Sequence, residues 1–161
     1  MAKVIVLVGR LCCGKTTYAN EIIAGEGGVL LSADELMQSI FPEPLGDQYD
    51  VFSARGIAYL YHLARQLVQG GVNVVLDFGG WNPDARRAAR EALEGLEQDW
   101  RYLDVPDDEW RRRIAKRNAA IAAGEGKLNE YYVDDGLLEK ANRLFSPPEE
   151  SENLPLSVVR R

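Results

Sequence analysis

The sequence predicts an α/β fold in which a parallel sheet of about five strands carries helices on both faces. Three observations predict it. Short β-branched apolar runs recur along the chain, and segments of helical period separate them. The first run, Val4 to Val8, is continuously apolar, as a parallel strand buried on both faces requires. The 161 residues are 46% hydrophobic and 27% charged, enough for one sizeable core. No repeat or linker divides them, so a single domain over residues 1–161 is expected.

Lys3 to Val8 is read as the first strand. A helix follows from about Lys15 to Ala24, ended by Gly25. Gly28 to Leu31 is the second strand, and Ser32 opens the next helix, with Ser32-x-x-Glu35 forming a capping box. Phe41 to Arg55 is a long segment rich in prolines and acids that is placed to cover a ligand site. Ser53 to Gln69 is helical, with Ile57, Leu60, Tyr61, Ala64, Leu67 and Val68 on one face, and Gly70-Gly71 stops it. Val72 to Leu76 is the third strand. Asn82 and Pro83 then start a helix as N-cap and first residue. Trp100 to Val105 is the fourth strand, and Pro106-Asp107-Asp108 begins a basic helix broken at Gly124-Glu125-Gly126. A helix over about Val133 to Leu144 and a last strand over Pro155 to Val159 complete the series.

The net charge of −6 argues against a general nucleic-acid binder, which would be basic. No apolar run approaches the ~20 residues of a membrane span, so no membrane partner is expected and a cytoplasmic protein is. The two cysteines, Cys12 and Cys13, are adjacent and lack zinc spacing; they are read as reduced thiols.

Gly9-Arg10-Leu11-Cys12-Cys13-Gly14-Lys15-Thr16 fits G-x-x-x-x-G-K-[ST] without a gap, between a strand and a helix. Such a loop turns successive backbone N–H groups inward as an anion nest, and the following helix adds its positive end. The motif makes Gly9 to Thr17 the candidate ATP-binding segment. Lys15 would bridge the β- and γ-phosphates, and Thr16 would ligate Mg²⁺.

Two carboxylates follow strands. Asp34 lies just past the second, at the end of the sheet where doubly wound folds bind ligands, and is a candidate general base; it also suits a helix first turn with no catalytic role. Asp77 ends the third, the arrangement of a Walker B acid that holds Mg²⁺. Phe78-Gly79-Gly80-Trp81 forms a loop whose Trp81 either lines a pocket or staples the next helix. Arg113 and Arg117 share a helix face, as do Arg112 and Lys116. They read as arginines of a closing lid over residues 107–130 or as a solvated face. Tyr49, Asp50 and Arg55 are candidate acceptor contacts; Tyr131 and Tyr132 are pocket wall or core, and His62 is a packed or surface residue.

The ordered set of these motifs, over most of residues 3 to 118, resembles the kinase domain of phage polynucleotide kinase and its P-loop kinase relatives. Those relatives include zeta-toxin-like kinases, chloramphenicol phosphotransferase and uncharacterised AAA-type ATP-binding kinases. The residues that carry the resemblance are Gly9 to Thr17, Ser32 to Ile40, Asp77 to Arg87, Asp104-Val105-Pro106, Arg113 and Arg117. The resemblance implies a three-layer P-loop NTPase fold of the nucleotide-kinase type with a helical lid. It also implies that Asp34 is the general base and that Arg113 and Arg117 lie near the phosphates, with Arg117 also able to lie against the nucleotide base. Met37 stands where the polynucleotide kinase pattern has an arginine that holds the acceptor's phosphate, and no companion phosphatase domain is expected here. The expectation is therefore an ATP- and Mg²⁺-dependent kinase, monomer or homodimer, acting on a small hydroxylated acceptor such as an antibiotic, sugar or nucleotide-sugar. A 5′-hydroxyl polynucleotide kinase and an ATP-binding switch with little transfer activity are the alternatives.

Overall fold

In the computed structural model, which describes residues 1–126 and 130–161, five strands form one sheet in the order β2-β3-β1-β4-β5, every pair parallel. The strands are β1 (Val4–Val8), β2 (Val29–Ser32), β3 (Val74–Asp77), β4 (Gln98–Asp104) and β5 (Leu156–Arg160). The helices are α1 (Lys15–Glu26), α2 (Ala33–Ile40), α3 (Tyr49–Gln69), α4 (Pro83–Ala92), α5 (Asp107–Ala122) and α6 (Asp135–Leu144), with 3₁₀ turns at Gly46–Gln48 and Glu150–Glu152. This is the predicted class of fold.

β1 shows why its sequence is apolar throughout: all five residues are buried. Ile5 and Leu7 face one core with Ile22, Leu103, Trp110 and Ile114. Val4, Val6 and Val8 face another with Leu60, Ala64, Leu76 and Trp100. The alternation of side chains thus supplies both cores from one strand. The register pairs Asp77 with Leu7 on one side and with Ser32 on the other. The carboxyl ends of β1, β2 and β3 are therefore level, and the loops leaving them share one edge. After β3 the chain crosses β1 to form β4, so a topological switch point falls at that edge, where open parallel sheets bind ligands.

Several boundaries differ from the sequence reading. α1 runs through Gly25 to Glu26 and is closed by Gly27, whose N–H donates to the Ile23 carbonyl. α3 begins at Tyr49, four residues before the predicted start, because the 3₁₀ turn Gly46–Gln48 leads straight into it. β4 starts at Gln98 rather than Trp100, and α6 starts at Asp135 rather than Val133 because Asp134 is its N-cap, accepting from Leu137 N–H. Three other helix ends follow the sequence. Ser32 Oγ accepts from Glu35 N–H at 3.2 Å, Asn82 Oδ1 from Ala85 N–H at 2.9 Å, and α3 stops at Gly70.

Among the described residues, Arg86 is the charged side chain with no exposed surface. It makes a two-pronged pair with Glu152, Nε and Nη2 each donating at 2.7 Å. Its Nη1 also donates to the carbonyls of Gly80 and Ser146. The guanidinium thereby ties the loop after β3 to the segment before β5 and satisfies its own donors, as a buried charge must.

Candidate active site

The loop between β1 and α1 has the shape that its glycines and lysine allow. Cys12 and Gly14 both take the left-handed conformation, at φ 58° and 95°. Gly14 does so without strain, and a Cβ at Gly9 would meet Cys13 Sγ at 2.5 Å, so the chain needs glycine there. α1 has no side-chain N-cap, which leaves its first amides to an anion. Lys15 Nζ donates to the carbonyls of Gly9 (3.0 Å) and Arg10 (2.9 Å). Burial works against its charge, but the neighbouring Cys13, Asp77 and Asp34 outweigh this and hold the ammonium above the ordinary lysine value. Burial pushes the Cys12 thiol up, against the pull of Arg117 and Lys15, so it stays protonated.

α5 holds the loop from outside. Trp110 Nε1 donates to the Leu11 carbonyl at 2.6 Å, and Arg113 Nη1 donates to the Cys13 carbonyl at 2.8 Å while its Nε binds Glu109. Carbonyls fixed outward leave the amides of the same peptide units to face inward. Arg10 also turns outward, to Asp107 and the Val105 carbonyl, with its guanidinium 4.1 Å from the Trp110 ring centre. The side chain of Arg10 is thus committed to α5, and neither Gly9 nor Arg10 lines the cleft; Gly9 contributes its carbonyl to Lys15. Arg113 is likewise occupied by the loop's outer surface, unlike Arg117, which lines the cleft.

The cleft itself, about 1050 Å³, opens at the level edge of the sheet. Leu11 to Thr17, Asp34, Asp77, Trp81, Tyr49, Arg117 and Tyr131 all line it. Asp34 is exposed and its charge reaches Lys15, Asp77, Tyr49 and Tyr131. Burial pushes the Asp77 carboxyl up; Asp34 adds to the rise, and Lys15 and the Gly79 N–H oppose it. Trp81 lines the cleft and packs against the core cluster that also takes Tyr131 and Leu137, so its partners lie towards α6 rather than on the helix it precedes.

α3 faces the cleft with Tyr49, Ser53, Ile57 and Tyr61, four residues apart, and with Asp50, Ala54 and Ala58 beside them. Arg55 falls off this stripe. It is exposed, lies over the Phe52 ring at 5.7 Å and does not line the cleft, unlike the other expected acceptor contacts Tyr49 and Asp50. The segment predicted as a lid starts with a fixed half, since Trp110 and Ile114 are buried in the core; residues 127–129 of it lie outside the described residues. Beyond them, Asn118 clamps Val133 through two hydrogen bonds of 2.7 and 2.8 Å, which sets Tyr131 at the cleft wall.

Sequence reasoning missed Lys140 and the face of α6 that bears it. Leu137, Lys140 and Leu144 line the cleft at a spacing of three and four, a stripe visible in the sequence. It also missed Glu130 and Asn20, which no local pattern distinguishes, and it read Ser32 as a helix cap without placing it at the cleft.

Thr16 and Asp77 offer a hydroxyl and a carboxylate at the cleft. Among the described residues no cluster of three or more His, Cys, Asp or Glu could hold a metal alone. Two hard oxygen donors fit Mg²⁺, which takes phosphate oxygens and water for its other positions.

A family model described as an AAA domain matches residues 4–137. No curated protein matches the chain. Among solved structures, a sugar kinase from Janibacter sp. HTCC2649 is 19% identical, with 99% of this chain and 86% of that one covered at a TM-score of 0.67. A gluconokinase from Sinorhizobium meliloti 1021 is 16% identical, covering 98% and 82% at 0.67. The Mycobacterium tuberculosis APS kinase in complex with AMPPNP and APS is 20% identical, covering 99% and 88% at 0.65. The parallel sheet, the glycine-rich loop opening α1 and the match over residues 4–137 lead to one conclusion: the chain belongs to the AAA domain family and has the P-loop kinase fold.

Proposed function

We propose that the protein is an ATP-dependent phosphotransferase that moves the γ-phosphoryl group of ATP to a hydroxyl of a small molecule, with residues 1–161 forming a single kinase domain. One observation carries the reading: the phosphate loop, Asp34, Asp77 and Arg117, from four separate elements, all line one cleft. Solved structures of the same fold described as a sugar kinase, a gluconokinase and an APS kinase in complex with AMPPNP and APS support it.

In this reading the loop amides and Lys15 hold the β- and γ-phosphates. Thr16 and Asp77 would hold Mg²⁺, which when bound neutralises charge on the phosphates. Asp34 orients the acceptor hydroxyl and takes its proton as the oxygen bonds to the γ-phosphorus and ADP leaves. Arg117 faces the charge that spreads over the moving group. Arg113 is a positioning residue, acting through the Cys13 carbonyl. Free thiols at Cys12 and Cys13 fit a reducing compartment such as the cytoplasm.

Incubation with γ-labelled ATP, MgCl₂ and a panel of hydroxylated metabolites tests this. Label on a panel member, lost in Asp34→Asn, is the expected result; preferential labelling of 5′-hydroxyl oligonucleotides would instead make it a polynucleotide kinase. Nucleotide binding without transfer to any acceptor would leave a switch protein.

A further inference from the structure

The cleft is unevenly charged. Its cationic lining residues among those described are Lys15, Arg117 and Lys140, from the phosphate loop, α5 and α6. The wall built by α2, residues 41–48 and α3 contributes Asp34, Glu35, Glu43 and Asp50 to the lining, and no cation. Arg55, the arginine of that region, is turned away onto Phe52.

The same wall is otherwise apolar and aromatic. Met37, Phe41, Pro42, Leu45, Tyr49 and Ile57 all face the cleft from it. Met37 is buried, and Phe41 packs on Phe52 with ring centres 4.9 Å apart, so the surface is preformed. Burial and the Asp34 charge both push the Tyr49 phenol up, Asp50 adds to the rise, and a bond with Ser53 opposes it. The phenol therefore stays neutral, and negative charge already surrounds it.

An acceptor must bring its hydroxyl to Asp34, and so must lie along this wall. A negatively charged acceptor would meet carboxylates with no cation of the wall to receive it, a repulsion that costs about tenfold per close unit charge. A polyol would cover aromatic and proline surface with groups that prefer water. An aromatic or alkyl body removes that surface from water and leaves the acids exposed to solvent.

On the strength of the phosphotransferase reading, we propose that the acceptor is an alcohol with an aromatic or alkyl body and no negative charge. Its oxygen bonds to the γ-phosphorus as ADP leaves, and its proton passes to Asp34. Lys15 and Arg117, beside the phosphate loop, then serve ATP, and the acidic, apolar wall selects what receives the phosphoryl group.

Three alcohols that share a phenyl body and differ in charge test this: 3-phenylpropan-1-ol, phenylalaninol and 3-phenyllactate. They are compared with glucose, gluconate and a 5′-hydroxyl oligonucleotide, using the full chain, MgCl₂ and γ-labelled ATP. The neutral and cationic phenyl alcohols should be labelled at least about tenfold faster than phenyllactate and the polar acceptors. The double variant Glu43→Lys with Asp50→Lys should bring phenyllactate to within about threefold of them. Preference for gluconate or the oligonucleotide, or equal rates across the three charges, overturns the inference and leaves the kinase reading intact. So does failure to label any phenyl alcohol while calorimetry still shows ATP binding. Absence of ATP binding overturns the reading beneath it.

Discussion

Lys15 and Asp34 divide the proposed chemistry between them, and each can be removed alone. Lys15 Nζ rests on two loop carbonyls, at hydrogen-bond distance from both. Lys15→Ala should lower turnover by at least about 10²-fold, the scale of one lost donor to developing charge, and weaken ATP binding in calorimetry. Asp34→Asn keeps the shape of the helix start, because the cap bond runs from Glu35 N–H to Ser32. It should keep ATP affinity and lower transfer by about 10²–10⁴-fold in a single-turnover assay; unchanged transfer would remove Asp34 from the chemistry. The positions of these residues were readable because each follows a strand, and parallel strands deliver their ends to one edge. The orientations of Arg10, Arg55 and Arg113 were not. A long side chain reaches in any direction, and only the neighbouring Trp110, Phe52 and Cys13 carbonyl decide which.

Among elements, α5 stands out because its first half serves the phosphate loop from behind. Trp110 is buried, and its N–H reaches the Leu11 carbonyl. Trp110→Phe keeps most of the packing and removes that donor, which should cost about 1–3 kcal/mol of stability in urea unfolding. If about 1 kcal/mol falls on the bound geometry of the loop, Kd for ATP should rise about fivefold. Unchanged affinity would mean the loop holds its shape without α5. The charge run Arg111 to Arg117 was visible in the sequence, but its partition was not: Arg113 turns to the loop, Arg112 pairs with Glu109, and Arg117 enters the cleft. Periodicity fixes which residues share a face of a helix and says nothing about what that face meets. α3 shows the same limit, since its early start at Tyr49 arises from the preceding 3₁₀ turn and not from an apolar pattern.

The whole molecule is closed by a contact 66 positions long in sequence, the pair of Arg86 with Glu152. Glu152→Gln would leave a buried guanidinium uncompensated and should cost roughly 3 kcal/mol in urea unfolding. The same pair sets a pH dependence. Hydrogen bonds from Arg86 hold the Glu152 carboxyl below its ordinary value. Arg101 and Lys3 do the same for Glu26; at Asp99 burial pushes the other way but those two cations outweigh it. A carboxyl lowered on folding stabilises fully above its unfolded value, near ~4, and loses that contribution as pH falls through the folded value. Urea midpoints should therefore fall from pH 6 to pH 3, and less steeply in Glu152→Gln. The strand order and parallel sense were anticipated only as a class, because local patterns identify strands without stating their neighbours. Arg86 was visible only as one of several arginines, since its partner lies in a polar segment that no periodicity links to it. That long reach also bears on synthesis at the ribosome. Arg86 is made 66 residues before Glu152, so the two-pronged pair that ties the loop after β3 to the segment before β5 can close only once that later segment exists.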